Sequence, residues 1–139
     1  MRYLFSFLAL CLCGFSAAAQ SACLDDVEGT NFLLMESDGH KIVVTPNPQN
    51  KKVGELFRVE ISLCHLDSEV TKVSAIMPAH GHGMNYRPQI LSLQPGLYKA
   101  EGFLFHMPGL WEFRLETRKV ETDGQSRRLR FQKKILITP

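Results

Sequence analysis

The sequence predicts an all-β protein, folded as an antiparallel β-sandwich. Three observations carry that expectation. Short stretches alternate apolar and polar side chains with period two, the mark of strands buried on one face. Gly, Pro, Asn and Asp punctuate those stretches at the spacing of sheet turns. No stretch sustains a 3.6-residue apolar period over the length of a helix.

The chain has 139 residues, and its first segment reads as a signal peptide. Met1-Arg2 gives a positive start, Tyr3 to Phe15 is apolar and uncharged, and Ala17-Ala18-Ala19 supplies small residues for cleavage after Ala19. An uncleaved membrane anchor is the alternative, although the apolar run is shorter than the roughly 20 residues of a span. Lipid attachment at Cys23 is disfavoured because Gln20 stands where an apolar residue is wanted. Residues 20–139 then form a single domain, periplasmic or secreted, with no stable membrane span after cleavage.

Within that domain the elements follow in order. Asn31 to Glu36 and His40 to Thr45 are β-rich runs joined by Ser37-Asp38-Gly39, a hairpin signal. Pro46-Asn47-Pro48 and the polar residues to Lys52 read as a loop. In Glu55 to Cys64, Phe57, Val59, Ile61 and Leu63 alternate with Arg58, Glu60 and Ser62. Glu69 to Ile76 is the next strand, ending at Met77-Pro78. A loop then runs to Pro88, followed by Gln89 to Leu93, a turn at Gln94-Pro95-Gly96, and Leu97 to Phe105. Tyr98, Ala100, Gly102 and Leu104 are the expected inward set of that strand. Leu110 to Arg118 points Trp111, Phe113 and Leu115 inward, and Asp123-Gly124 turns the chain into Ser126 to Ile137. Strands at this spacing indicate a Greek-key sandwich. Pro95-Gly96-Leu97-Tyr98 resembles the tyrosine corner of immunoglobulin-like domains, although Ala100 stands where their second Cys would fall.

The formal charge is +2, and removing Arg2 with the signal lowers it by one, so nucleic acid is not an expected partner. Arg127, Arg128, Arg130, Lys133 and Lys134 alternate with Leu129, Phe131 and Ile135, as on the solvated face of a strand. Cys11 and Cys13 leave with the signal. The remaining pair, Cys23 and Cys64, is expected to form one disulfide in an exported protein, which would contribute about 2–4 kcal/mol. A Cys ligand to a soft metal is the rival reading.

Chemistry concentrates in two segments, Met77-Pro78-Ala79-His80-Gly81-His82-Gly83-Met84 and His106-Met107-Pro108-Gly109. Each antiparallel connection reverses the chain, so both segments fall at one pole of the sandwich. The same parity sends His40, Cys64, His65, Asp67 and Glu69 to the other pole, about 20 Å away along the strands. The candidate ligands are therefore His80, His82, Met84, His106, Met107 and Met77. Imidazole and thioether are neutral donors that suit copper, Cu(I) more than Cu(II). Ca and Mg want oxygen, and zinc could bind through three His but has no need of the thioethers. Gly81 and Gly83 let the backbone fold close to an ion, and His80 and His82 share a side if that segment is extended. Packing roles stay open: Met77 in the core, Met84 on Tyr86, Met107 as a plug, Trp111 in the core, and the His-Gly-His-Gly run as a polar loop.

From about Val53 to Leu115 the chain resembles the YtkA-like domains, which are also compared with FixH proteins. The resemblance rests on Val53-Gly54, Met77 to Met84 as written above, Gly96-Leu97-Tyr98, Gly102 and Met107-Pro108-Gly109-Leu110-Trp111. It implies an immunoglobulin-like antiparallel β-sandwich of about seven to nine strands outside the cytoplasm, associated with copper handling and cytochrome oxidase assembly. The expected function is a periplasmic copper-binding protein: a carrier, a resistance factor or a factor in cuproprotein assembly. It would exchange the ion with a donor or acceptor protein. The alternative is a metal-free interaction module docking on an envelope assembly. An enzyme is not expected, because the sequence offers no Ser/His/Asp set, paired carboxylates or Gly-rich phosphate loop.

Overall fold

The computed structural model describes residues 32–47, 52–64 and 66–139. The signal-peptide reading, Cys23 and His65 lie outside them. The described chain is an antiparallel sandwich of nine strands and one short 3-10 turn. The strands are β1 (Leu33–Ser37), β2 (His40–Asn47), β3 (Leu56–Cys64), β4 (Glu69–Met77), β5 (His82–Gly83), β6 (Gln89–Gln94), β7 (Leu97–Leu104), β8 (Gly109–Val120) and β9 (Ser126–Ile137).

One sheet has the order β1-β2-β3-β7-β6 and the other β5-β4-β8-β9. The connections β3–β4, β5–β6 and β7–β8 pass between the sheets. The runs β2-β3-β7-β6 and β5-β4-β8-β9 are the two facing sheets of an immunoglobulin-like sandwich, with β1 added at an edge. The edge is closed where β1 lies beside β9, with Arg127 paired to Asp38 across the seam.

The core follows from the period-two pattern. Phe57, Val59, Ile61 and Leu63 of β3 face Trp111, Phe113 and Leu115 of β8, and all are buried. Phe103 stacks on Phe113 with centroids 5.4 Å apart, and Phe105 packs on Trp111 at 4.9 Å. Such rings span the two sheets, and deleting one from a core costs about 3–5 kcal/mol.

Three local expectations are corrected. The inward set of β7 is Tyr98, Ala100 and Phe103, followed by Phe105, while Leu104 is half-buried and turned out of the core. The cause is a bulge at Gly102. Arg58 pairs with Glu101 and Phe57 with Phe103, so one residue is left over, at φ +90°. Second, β2 continues through Pro46, which pairs with Val59, instead of ending at Thr45. Third, Tyr98 does not make a tyrosine corner. Its hydroxyl donates to the Ser68 carbonyl at 3.3 Å, tying β7 to the β3–β4 connection 30 residues upstream.

The strand directions place the poles. Lys41 pairs with Cys64, and the Leu63 amide donates to Gly96, so Cys64 and the start of β2 with His40 share one end. Cys64 is buried there. Leu56 pairs with Leu104 at the other end, where β4 stops and β8 begins.

A His/Met pole as candidate metal centre

The pole where β4, β7 and β8 meet carries the two chemical segments. β4 does not run into a long open loop. Met77 pairs with His82 and Ile76 with Gly83, so the chain makes a tight hairpin around Pro78-Ala79-His80-Gly81. Pro78–His80 is a single 3-10 turn, closed by Gly81 in the left-handed region at φ +67°, with the Gly81 amide bonded to the Met77 carbonyl at 3.0 Å. A turn here replaces the extended segment expected from the His-Gly-His spacing. His80 therefore rides on the turn and His82 on the strand.

The register decides where His82 faces. It lies opposite Met77, a core residue only 3% exposed, so both side chains stand on the inner face of the sheet. His82 is half-buried there, its ring centroid 5.1 Å from that of His106 and 6.1 Å from that of Trp111. His106 meets the same indole edge-on at 5.4 Å. His80 is exposed, with its ring 5.7 Å from that of His82. The pole thus has a buried aromatic floor, two half-buried imidazoles on it, and a third imidazole toward solvent.

Hydrogen bonding separates the ring nitrogens. His82 Nδ1 lies 3.2 Å from the Gly83 carbonyl. A carbonyl only accepts, so Nδ1 donates in this contact, which in the neutral ring leaves the Nε2 lone pair free. Metal-ligating histidines commonly hold their second nitrogen in this way. Among the described residues, His106 Nδ1 is buried without a hydrogen-bond partner. A buried polar atom left unpaired costs about 1–3 kcal/mol, so it calls for a partner.

The methionines divide. Met77 is inside the core, and a Cβ added at Gly109 would stand 2.5 Å from its Cε, so the two are packed in direct contact. Gly109 is at φ +129°, which L side chains rarely adopt. The backbone conformation favours glycine there, and a side chain would also have to displace the tip of Met77. Met84 and Met107 are partly buried and packed against the edge of the core. The Met84 amide bonds to the Ala75 carbonyl at 3.2 Å, extending the β5 edge by one contact. The Met107 carbonyl accepts a hydrogen bond from Trp111 Nε1 at 3.0 Å. That bond was not anticipated from the sequence. The four-residue spacing of Met107 and Trp111 around Pro108-Gly109 was its available signal, since Pro-Gly turns the chain back toward β8.

Among the described residues, no group of three or more His, Cys, Asp and Glu side chains is placed to hold a metal ion. Imidazole and thioether are neutral, soft donors of the kind that suits copper, whereas calcium and magnesium want oxygen. The depression on the outer face of β8 and β9, lined by Arg114, Glu116, Arg130 and Gln132, lies away from these residues. Among the described residues no helix is long and apolar enough to cross a membrane. Comparisons with protein-family models, curated proteins and solved structures found no match to this chain.

Proposed function

We propose that the protein is an exported copper-binding protein, a carrier or assembly factor, holding Cu(I) in preference to Cu(II) at the His/Met pole. His82 and His106 would supply the imidazoles, and Met84 and Met107 the thioethers. Met77 lies beneath them as core. The observation that carries this reading is the buried Nδ1 of His106, without a partner among the described residues, beside His82, whose own Nδ1 is tied to Gly83. Two adjacent imidazoles, with methionines from the same two segments, would form a neutral soft donor set. Export by a signal peptide cleaved after Ala19, a Cys23–Cys64 disulfide and kinship with the YtkA-like and FixH-like domains belong to the same reading. Its partners would be a copper donor or acceptor protein outside the cytoplasm.

The test is an anaerobic titration of the metal-free protein, residues 20–139, with Cu(I) against a competing chelator. A His82→Ala/His106→Ala variant is measured beside it. The expected result is one-to-one binding that the variant loses. No competition by the unaltered protein, repeated with Cu(II) and Zn(II), would sink the metal reading.

The second reading is a metal-free module docking on an envelope assembly. The burial of Met77, with Met84 and Met107 packed against the core, favours it, because thioethers committed to packing are not free to ligate. The same titration separates the two.

A further inference from the structure

The three imidazoles of the pole are not equivalent. His82 and His106 are half-buried, and both touch the Trp111 indole. His80 is exposed, and its ring contact is with His82. The His80 and His82 centroids are 5.7 Å apart, and those of His82 and His106 are 5.1 Å apart. His80 does not complete a triad with the other two, since no three such side chains gather to hold an ion among the described residues. The residue after it borders open space: a Cβ placed on Gly81 would meet no atom within 4 Å.

We propose that His80 is the exchange ligand of this pole, the imidazole that passes a soft metal ion between the inner pair and an acceptor in solution. This rests on the copper reading above. The physical argument concerns the order in which bonds change. A half-buried donor pair presents little surface to an incoming ligand, so direct release would break bonds to the inner imidazoles before the acceptor makes any. An exposed imidazole one ring away from His82 lets donors be exchanged one at a time, with the oxidation state unchanged. Because His80 adds little to the resting donor set, it acts on the rate of transfer and leaves the affinity nearly untouched. The acceptor class is a protein presenting thioether, thiolate or imidazole donors of its own.

The experiment compares the unaltered protein with His80→Ala and His80→Met, all loaded anaerobically with Cu(I). Equilibrium affinity is read by chelator competition. The rate of loss is read by stopped flow after mixing with excess bathocuproine disulfonate. As an exposed substitution, His80→Ala should leave the thermal unfolding midpoint nearly unchanged. The expected result is an affinity within about threefold of the unaltered protein, a transfer rate reduced about tenfold, and recovery in His80→Met, which restores a soft donor. A loss of affinity of about tenfold or more in His80→Ala would make His80 a resident ligand and overturn the proposal. An unchanged transfer rate would overturn it as well. Failure of the unaltered protein to bind Cu(I) at all would remove the copper reading itself, which is a distinct outcome.

Discussion

Trp111→Phe probes how the second chemical segment is held in place. The indole is fully buried, packs on Phe105 and donates its N–H to the Met107 carbonyl at 3.0 Å. Phenylalanine keeps an aromatic ring in the slot but removes the donor and part of the volume. Roughly 40 Å³ of ring is lost, which at about 24 cal/mol per Å³ of cavity costs about 1 kcal/mol. The Met107 carbonyl, half-buried, loses its partner, adding about 1–1.5 kcal/mol. The sum is about 2–2.5 kcal/mol, or a fall in Tm of about 8–10 °C for a domain of this size. Urea unfolding followed by far-UV circular dichroism is the assay, because the substitution removes the only tryptophan. Hydrogen exchange at His106 and Met107 should quicken more than exchange across β9, since the bond pins that loop locally. A loss below about 0.5 kcal/mol, or exchange that quickens uniformly, would refute the argument that the indole anchors the loop.

Two further outcomes follow from other parts of the molecule. Thr117 is 1% exposed and its hydroxyl is buried without a partner among the described residues, so Thr117→Val should raise stability by about 1 kcal/mol in thermal or urea unfolding. A fall would show that the hydroxyl is satisfied in solution. Glu101 is held below the ordinary glutamate range by its hydrogen bond to Lys99, then by the charges of Lys99 and Arg58. With the folded value depressed, whatever stability the pair contributes is present above the unfolded value and is lost as pH falls through the folded one. An NMR titration of Glu101 should therefore give a midpoint below that of a free glutamate and move upward in Lys99→Ala; an unmoved midpoint would remove Lys99 as the cause.

Where side-chain period and turn chemistry agreed, the fold was legible. β9 runs from Ser126 to Ile137 as its alternation and the Asp123-Gly124 turn require. β8 was recognised from Trp111, Phe113 and Leu115, and extends further at both ends because β9 pairs with its whole length. The inward set of β7 failed at one residue. An isolated Gly inside a strand pattern is itself a signal for a bulge, and Gly102 shifts the phase so that Phe103 and Phe105, not Leu104, fill the core. β2 passes through Pro46 because β1 reaches only to Val44 opposite Leu33. Beyond that point, among the described residues, β2 pairs with β3 alone, and the missing amide need not serve a second neighbour. β5 has two residues, too few for any periodic signal, and exists because the Pro78–Gly81 turn returns the chain onto Met77 and Ile76.

At the pole, parity of antiparallel connections brought His80, His82 and His106 together, and the result holds because β5, absent from that count, runs the same way as β6 and adds no reversal. It could not rank the three. Ranking depends on the single-residue pairing of Met77 with His82, which turns His82 inward, and on the 3-10 turn, which leaves His80 outside. Those two features are consequences of Pro78 and Gly81. Proline fixes the entry to the turn, and Gly81 at φ +67° supplies its exit. The Pro-Ala-His-Gly sequence thus separates an exposed imidazole from a half-buried one within three residues. Lengthening the loop by one residue at Ala79 would disturb this turn, leaving the His82–His106 contact on β5 and the β7–β8 loop as its own element. A polar surface loop has no requirement for such a division, whereas a site that both holds and releases an ion does.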